Sequence, residues 1–227
     1  MTVYNFKLIG ASPLLMHADD VTAASQINAL RKSAEGKKWE KGDDRFPFWT
    51  WVTYLYHDGE HVCMPQENIT AALIKAATSI KESGNTSYKS AAAAGLIPLT
   101  ESFDFTVQGN AIPIAPFLQL ATAPPGNDHG GREGFIALSD LAKQMGFCDF
   151  VKRASIGKAK HVRVRPKFSF WEVTGRIENV LPAEIKEKVI REIFAVAGAR
   201  VGIGDWRPGA PGKPGPYGRF TVDLEKV

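Results

Sequence analysis

The sequence predicts an α+β fold, with helices on one face of a mostly antiparallel sheet, and three observations carry that prediction. Tyr4, Phe6 and Leu8 alternate with Asn5 and Lys7, the two-residue period of a half-buried strand. Ile69, Leu73, Ala76, Ala77 and Ile80 recur at helical spacing, which predicts a core-facing helix from about Gln66 to Lys81. Between Lys167 and Leu224, a strand, a helix, a glycine-rich loop and another strand follow in turn.

The elements justify themselves in order. Pro13 ends the first strand, and Leu14 to Asp20 leads into a weakly patterned stretch. Residues 31 to 48 are charged and rich in Lys, Gly and Asp, which reads as a loop or insertion. Phe46, Phe48, Trp49, Trp51, Tyr54 and Tyr56 form a cluster dense enough to be core, the alternative being a stacking platform. Asp58-Gly59 between Tyr56 and Val62 predicts a tight hairpin. The helix from Gln66 stops at Ser83-Gly84-Asn85, a short helical patch follows near Ala91, and Ser102 to Val107 reads as a strand. Residues 108 to 165, with Pro113, Pro116, Pro124 and Pro125, read as irregular. Lys167 to Ile177 predicts one long strand, with Phe168 and Phe170 on one face and Trp171 and Val173 on the other. Pro182 suits a first helical position and Glu184 a first turn, opening a helix through Ile185, Val189, Ile193, Val196 and Ala197. Phe220, Val222 and Leu224 alternate in the last strand. This order predicts a ferredoxin-like core over 1–107 and 166–227, an aromatic and charged insertion over 31–60, and an irregular insertion over 108–165.

Composition narrows the function classes. At 227 residues, 44% hydrophobic and 23% charged, the chain has the make-up of an ordinary globular protein, not a collagenous or disordered one. No apolar run approaches the ~18 residues of a membrane span. Met1 to Gly10 lacks the basic start and cleavage site of a signal peptide. Cys63 and Cys148 lack CxxC or Cys/His spacing, and His57 and His61 flank the hairpin turn without a third ligand. The expectation is a cytoplasmic protein in a reducing compartment, with no membrane contact, metal site or cofactor.

Charge is concentrated. The net charge is +4, yet Lys152, Arg153, Lys158, Lys160, Arg163, Arg165 and Lys167 supply +7 within sixteen residues that also hold His161 and no acid, leaving the remainder at −3. Such asymmetry points to a polyanionic partner, against the alternative of a solvated charged loop. His161, Arg163, Arg165 and Lys167 are spaced by two, so a strand would line them on one face at ~6.6 Å intervals, comparable to phosphate spacing, with Val162 and Val164 on the other. Pro166 implies an edge or a bulge there. The glycine loop joins Gly202 and Gly204 to Arg200, Arg207, Lys213 and Arg219 and to the aromatic Trp206 and Tyr217. It is neither a P-loop nor a dinucleotide fingerprint. Its backbone amides and cations suit phosphates, and its rings suit bases; the alternative is a loop whose glycines satisfy turns.

The strand–helix–glycine-rich loop–strand unit, with Gly202-Ile203-Gly204 and Gly218-Arg219-Phe220, resembles the RAMP superfamily of CRISPR-associated RNA-binding proteins. It is most similar there to the backbone subunits that polymerise along guide RNA. The resemblance covers the first strand, the helix from Gln66 and roughly the last 60 residues. It implies a modified RRM-like core whose glycine loop, Gly202 to Arg219, and basic face cradle RNA. It also implies a thumb within 108–165 that kinks the RNA, and antiviral defence as the setting.

The function expected is therefore non-catalytic binding of single-stranded nucleic acid, RNA favoured over DNA, by several copies of the chain along one strand, with other effector-complex subunits as further partners. An endoribonuclease alternative rests on the resemblance. His17 lies where related endoribonucleases carry a histidine acting as acid and base. Asp19 and Asp20 sit where target-cleaving subunits carry an acid. A third alternative is a single-stranded DNA-binding or annealing protein of a mobile element.

Overall fold

The structure, a computed structural model, describes residues 1–40, 43–122, 132–156 and 159–227. In chain order its elements are β1 (Thr2–Gly10), β2 (Leu14–Leu15), α1 (Val21–Lys32), β3 (Cys63–Pro65), α2 (Gln66–Ala77), β4 (Lys81–Ser83) and β5 (Thr86–Ser87). Next come α3 (Lys89–Gly95), β6 (Leu96–Pro98), β7 (Ser102–Val107), β8 (Asn110–Ala111), α4 (Ala115–Thr122) and α5 (Arg132–Gln144). The last are β9 (Cys148–Ile156), β10 (Ala159–Phe168), β11 (Glu172–Asn179), α6 (Glu187–Val196) and β12 (Phe220–Lys226). The fold is mixed α+β with an antiparallel sheet and six α-helices among the described residues. None of these helices is long and apolar enough to cross a membrane.

The chain divides into two compact units, Met1–Leu15 with Cys63–Ala111 and Ser169–Val227, and Met16–Val62 with Ile112–Phe168. In the first unit the sheet runs β12-β1-β11-β7-β3, with β6 on β11 and β8 on β7. Phe6 meets Phe103 edge-on at 5.0 Å and Phe194 of α6 at 5.7 Å, so α6 covers the face of the sheet that carries these rings. Burying several such rings at ~1.5–3 kcal/mol each is what holds helix to sheet. The opposite face carries Asn5 and Lys7 of β1, beside Thr174 and Arg176 of β11 and Asp223 and Glu225 of β12.

The second unit has a core of its own. Trp51 meets Phe117 and Phe147, each at 6.3 Å, and Phe147 stacks on Phe168 at 4.6 Å. Phe46, Phe48 and Trp49 are buried too, so this part of the 46–56 cluster is core, whereas Tyr54 and Tyr56 are half-buried. The stretches read from the sequence as two separate insertions contribute together to this unit.

Several local expectations are corrected. The weakly patterned stretch after Asp20 is the helix α1, whose N-cap is Asp20: its Oδ1 accepts the Ala23 amide at 3.0 Å. The irregular 108–165 contains two helices and two long strands. Pro116 falls in the first turn of α4, where no amide donor is needed. In α5 the buried face is Gly134, Leu138, Ser139 and Ala142, too thin in large apolar residues to show a helical period. The single strand over 167–177 is two, broken at Ser169–Trp171. There Trp171 turns inward to donate from Nε1 to the Ser12 carbonyl at 2.8 Å, while Phe170 is left 65% exposed. The last helix starts at Glu187 rather than Pro182. Buried Asn179 donates to the Ile185 carbonyl at 2.7 Å and accepts from the Leu181 amide at 3.0 Å, holding the intervening residues in turns.

Candidate nucleic-acid interface

The basic stretch forms the antiparallel pair β9–β10 in the second unit. The register opposes Lys152 to Arg163, Arg153 to Val162, His161 to Ala154 and Lys160 to Ser155. Opposed residues share a face, so Lys152 joins His161, Arg163, Arg165 and Lys167 on one side. Lys152 and Arg153 are exposed on β9. Lys158 lies outside the described residues. Lys167 is half-buried, its Nζ 5.1 Å from the centre of the Phe150 ring. The backbone of Val162, Val164 and Pro166 turns away from β9. The Val162 carbonyl accepts from Asp44 N at 3.0 Å, the Val164 amide donates to Asp44 Oδ2 at 3.4 Å, and the Pro166 carbonyl accepts from Met16 N at 3.2 Å. Pro166 therefore removes no donor from the β9–β10 ladder and makes no bulge, and β10 is not an edge as its proline suggested.

The arginines of that row do not stand free in solvent. Asp44, fully buried, accepts from Arg165 Nη1 at 2.8 Å, Arg163 Nη1 at 3.0 Å and Arg31 Nη2 at 3.5 Å. Arg165 also lies 4.3 Å over the Tyr54 ring, and its side chain is only 11% exposed, against 28% for Arg163. Among the described residues the cluster sets one carboxylate among three guanidiniums. Burial raises the pKa of the Tyr54 phenol, with the Asp44 charge adding to the rise. His161 is half-exposed, with a buried Nδ1 that has no hydrogen-bond partner among the described residues.

Sequence reasoning missed Arg31, Asp44 and Tyr54, which set this geometry. Asp44 meets its β10 partners across 119 to 121 positions, and nothing local in Asp43-Asp44-Arg45, where both acids are buried, marks the second as the one the arginines share. Asp43 pairs instead with Arg45 at 2.6 Å.

The glycine loop belongs to the first unit and follows a π-turn over Ala197–Val201 that carries the exposed Arg200. Its amides are already engaged. Gly202 N donates to the Ala197 carbonyl, Ile203 N to Gly218, Asp205 N to Leu15, Gly209 N to Val201, Gly215 N to Arg207 and Gly218 N to Pro13, all at 2.7 to 3.1 Å. The expected phosphate cradle is therefore corrected at these amides. Gly204 and Gly218 serve close packing at φ +75° and +69°, where a Cβ would come 2.4 Å from the Leu15 oxygen and 1.9 Å from the Ile203 oxygen. Arg207 donates from Nη1 to the Gly204 carbonyl at 2.8 Å, bracing the loop. Lys213 and Arg219 are exposed, and the half-buried Trp206 and Tyr217 rings pack at 5.5 Å. Trp206 sits at φ +49°, a conformation that bulky residues adopt only when their surroundings impose it.

The open sheet face of the first unit opposes a polyanion. Five carboxylates (Asp104, Glu172, Glu178, Asp223, Glu225) share it with two cations, Lys7 and Arg176, and Asp104, Asp223 and Glu225 line a hollow of about 540 Å³ there with both cations. His17 is exposed, with its ring 4.7 Å from Tyr54 and perpendicular to it. Asp20 is occupied as a helix cap. Among the described residues no group of three His, Cys, Asp or Glu side chains is placed to hold a metal ion. No family model and no curated protein matches the sequence.

Proposed function

We propose that the protein binds single-stranded nucleic acid, RNA before DNA, along the face of β9–β10. The observation that carries this reading is Lys152 and Arg153 exposed on β9 beside a cluster of three arginines. Phosphates would meet Lys152, His161, Arg163 and Lys167 on one face, with Arg153, opposed to Val162, a further cation on the other face of the pair, giving affinity that is largely independent of sequence and falls with salt. Arg165 acts from behind, fixing Tyr54 and Asp44. In the first unit, Arg200, Lys213 and Arg219 offer further phosphate contacts, and Trp206 and Tyr217 a stacking surface. The polymer avoids the acidic sheet face, which distinguishes this reading from an RRM that stacks bases on its sheet.

The element order of the first unit supports a ferredoxin-like core, and with the glycine loop it supports kinship with the RAMP superfamily. On that reading the second unit takes the place of the thumb, and several copies line one strand. The test is a binding titration of wild-type protein with matched single-stranded RNA, single-stranded DNA and duplex. Tightest binding to the RNA strand, weakening as salt rises, is expected. Equal indifference to all three would refute the reading.

A further inference from the structure

Beside the arginine cluster, still in the second unit, lies a hollow of about 200 Å³ whose lining includes His17, Asp19, Asn28, Arg31, Thr53 and Tyr54. Drug-sized ligands occupy roughly 300 Å³ and more, so this space suits a fragment the size of one heterocycle. Its aromatic wall is held in place before any ligand arrives. The Tyr54 ring is fixed by the Arg165 guanidinium at 4.3 Å and by the perpendicular His17 ring at 4.7 Å. The Tyr54 carbonyl accepts from Ala18 N at 3.0 Å, and the Tyr56 hydroxyl donates to the His17 carbonyl at 3.1 Å. Buried Ile27 gives the hollow an apolar part.

The polar groups decide what fits. The Asp19 and Asn28 side chains make no hydrogen bond or ion pair among the described residues, whereas one oxygen of the neighbouring Asp20 is taken by the Ala23 amide. Asp19 and Asp20 oppose a phosphate here, and Arg31, which also lines the hollow, already faces the Asp44 carboxylate at 3.5 Å. A flat ring with donors on its edge meets the aromatic wall and the acceptors together.

We infer that this hollow receives one nucleobase of the bound strand and selects bases with an exocyclic amino group over uracil. The inference rests on the reading of β9–β10 as the strand-binding face. The Asp19 carboxylate only accepts, so it pairs with the amino group of cytosine, adenine or guanine and opposes the O4 of uracil. Cytosine and uracil differ mainly at that position, which makes them the cleanest probes.

The experiment compares dye-labelled oligocytidine and oligouridine of equal length by fluorescence anisotropy, on wild-type protein and on Asp19→Asn. Wild type is expected to favour oligocytidine by about fivefold or more, the low end for one discriminating base contact. Asp19→Asn, whose amide also donates, is expected to bring the ratio within about twofold. Equal affinities in wild type, or an unchanged ratio in the variant, would overturn the inference while leaving strand binding intact. Binding of neither oligomer would remove both readings together.

Discussion

Asp44→Asn changes one atom's charge and almost no volume, and the structure assigns it a large cost. In wild type the buried carboxylate holds Arg165 at 2.8 Å, Arg163 at 3.0 Å and Arg31 at 3.5 Å. With a neutral amide at that buried position, three guanidiniums face one another without their shared carboxylate, Arg165 among them nearly out of reach of water. Removing one partner of a buried ion pair costs about 3–5 kcal/mol, most of it the penalty of the stranded charge. Arg165 sets that figure, because Arg31 and Arg163 are better screened by solvent. At 2–4 °C per kcal/mol for a chain of this length, the melting temperature should fall by about 6–20 °C, read by differential scanning calorimetry or circular dichroism. Arg165→Met placed on top should recover part of the loss, since it removes the nearly buried charge that Asp44→Asn strands. A fall under about 3 °C for the single variant would refute the assignment of Asp44 as the brace of β10. The same geometry makes Arg163→Glu and Arg165→Glu poor probes of binding, because each sets a second carboxylate against Asp44.

Two further outcomes follow from the geometry. Gly218→Ala should cost several kcal/mol, since its Cβ would lie 1.9 Å from the Ile203 oxygen at φ +69°, and circular dichroism melting should show a loss larger than at Gly212, where a Cβ meets nothing. Tyr54 should stabilise the fold below the ordinary phenol range and lose that contribution as pH rises through its elevated folded-state pKa, because the unfolded chain ionises first. Chemical denaturation across the alkaline range should therefore show a shallower decline in Tyr54→Phe than in wild type, and identical slopes would count against it.

What the sequence made legible is what repeats locally. Period two in Tyr4-Phe6-Leu8 marked β1, and the helical spacing from Ile69 to Ala77 marked α2. Phe220 and Val222 marked β12. The alternation of β10 was also readable, with Val162 and Val164 buried on one face. Its consequence was not, because Arg165 is drawn in by an acid 121 positions away. Glycines likewise announced a loop at 202–218 but not its purpose. Whether an amide is open to a phosphate depends on partners such as Pro13 and Leu15, which reach it only in the folded chain. The break at Phe170 was hidden for the same reason, being set by Trp171 bonding to the distant Ser12 carbonyl, while the delayed helix after Pro182 is set locally by Asn179 bonding to Leu181 and Ile185.

The most direct test of the central claim is the salt dependence of single-stranded RNA binding by wild type and by the double variant Lys152→Glu/Arg153→Glu. Both residues are exposed on β9, and circular dichroism melting of the variant separates lost binding from lost folding. Affinity should drop, and the slope of log K against log salt should flatten by about 1.4, at ~0.7 for each of two phosphate contacts on a single strand. A double variant that binds as tightly as wild type, with the same slope, would contradict the assignment of β9–β10 as the nucleic-acid interface.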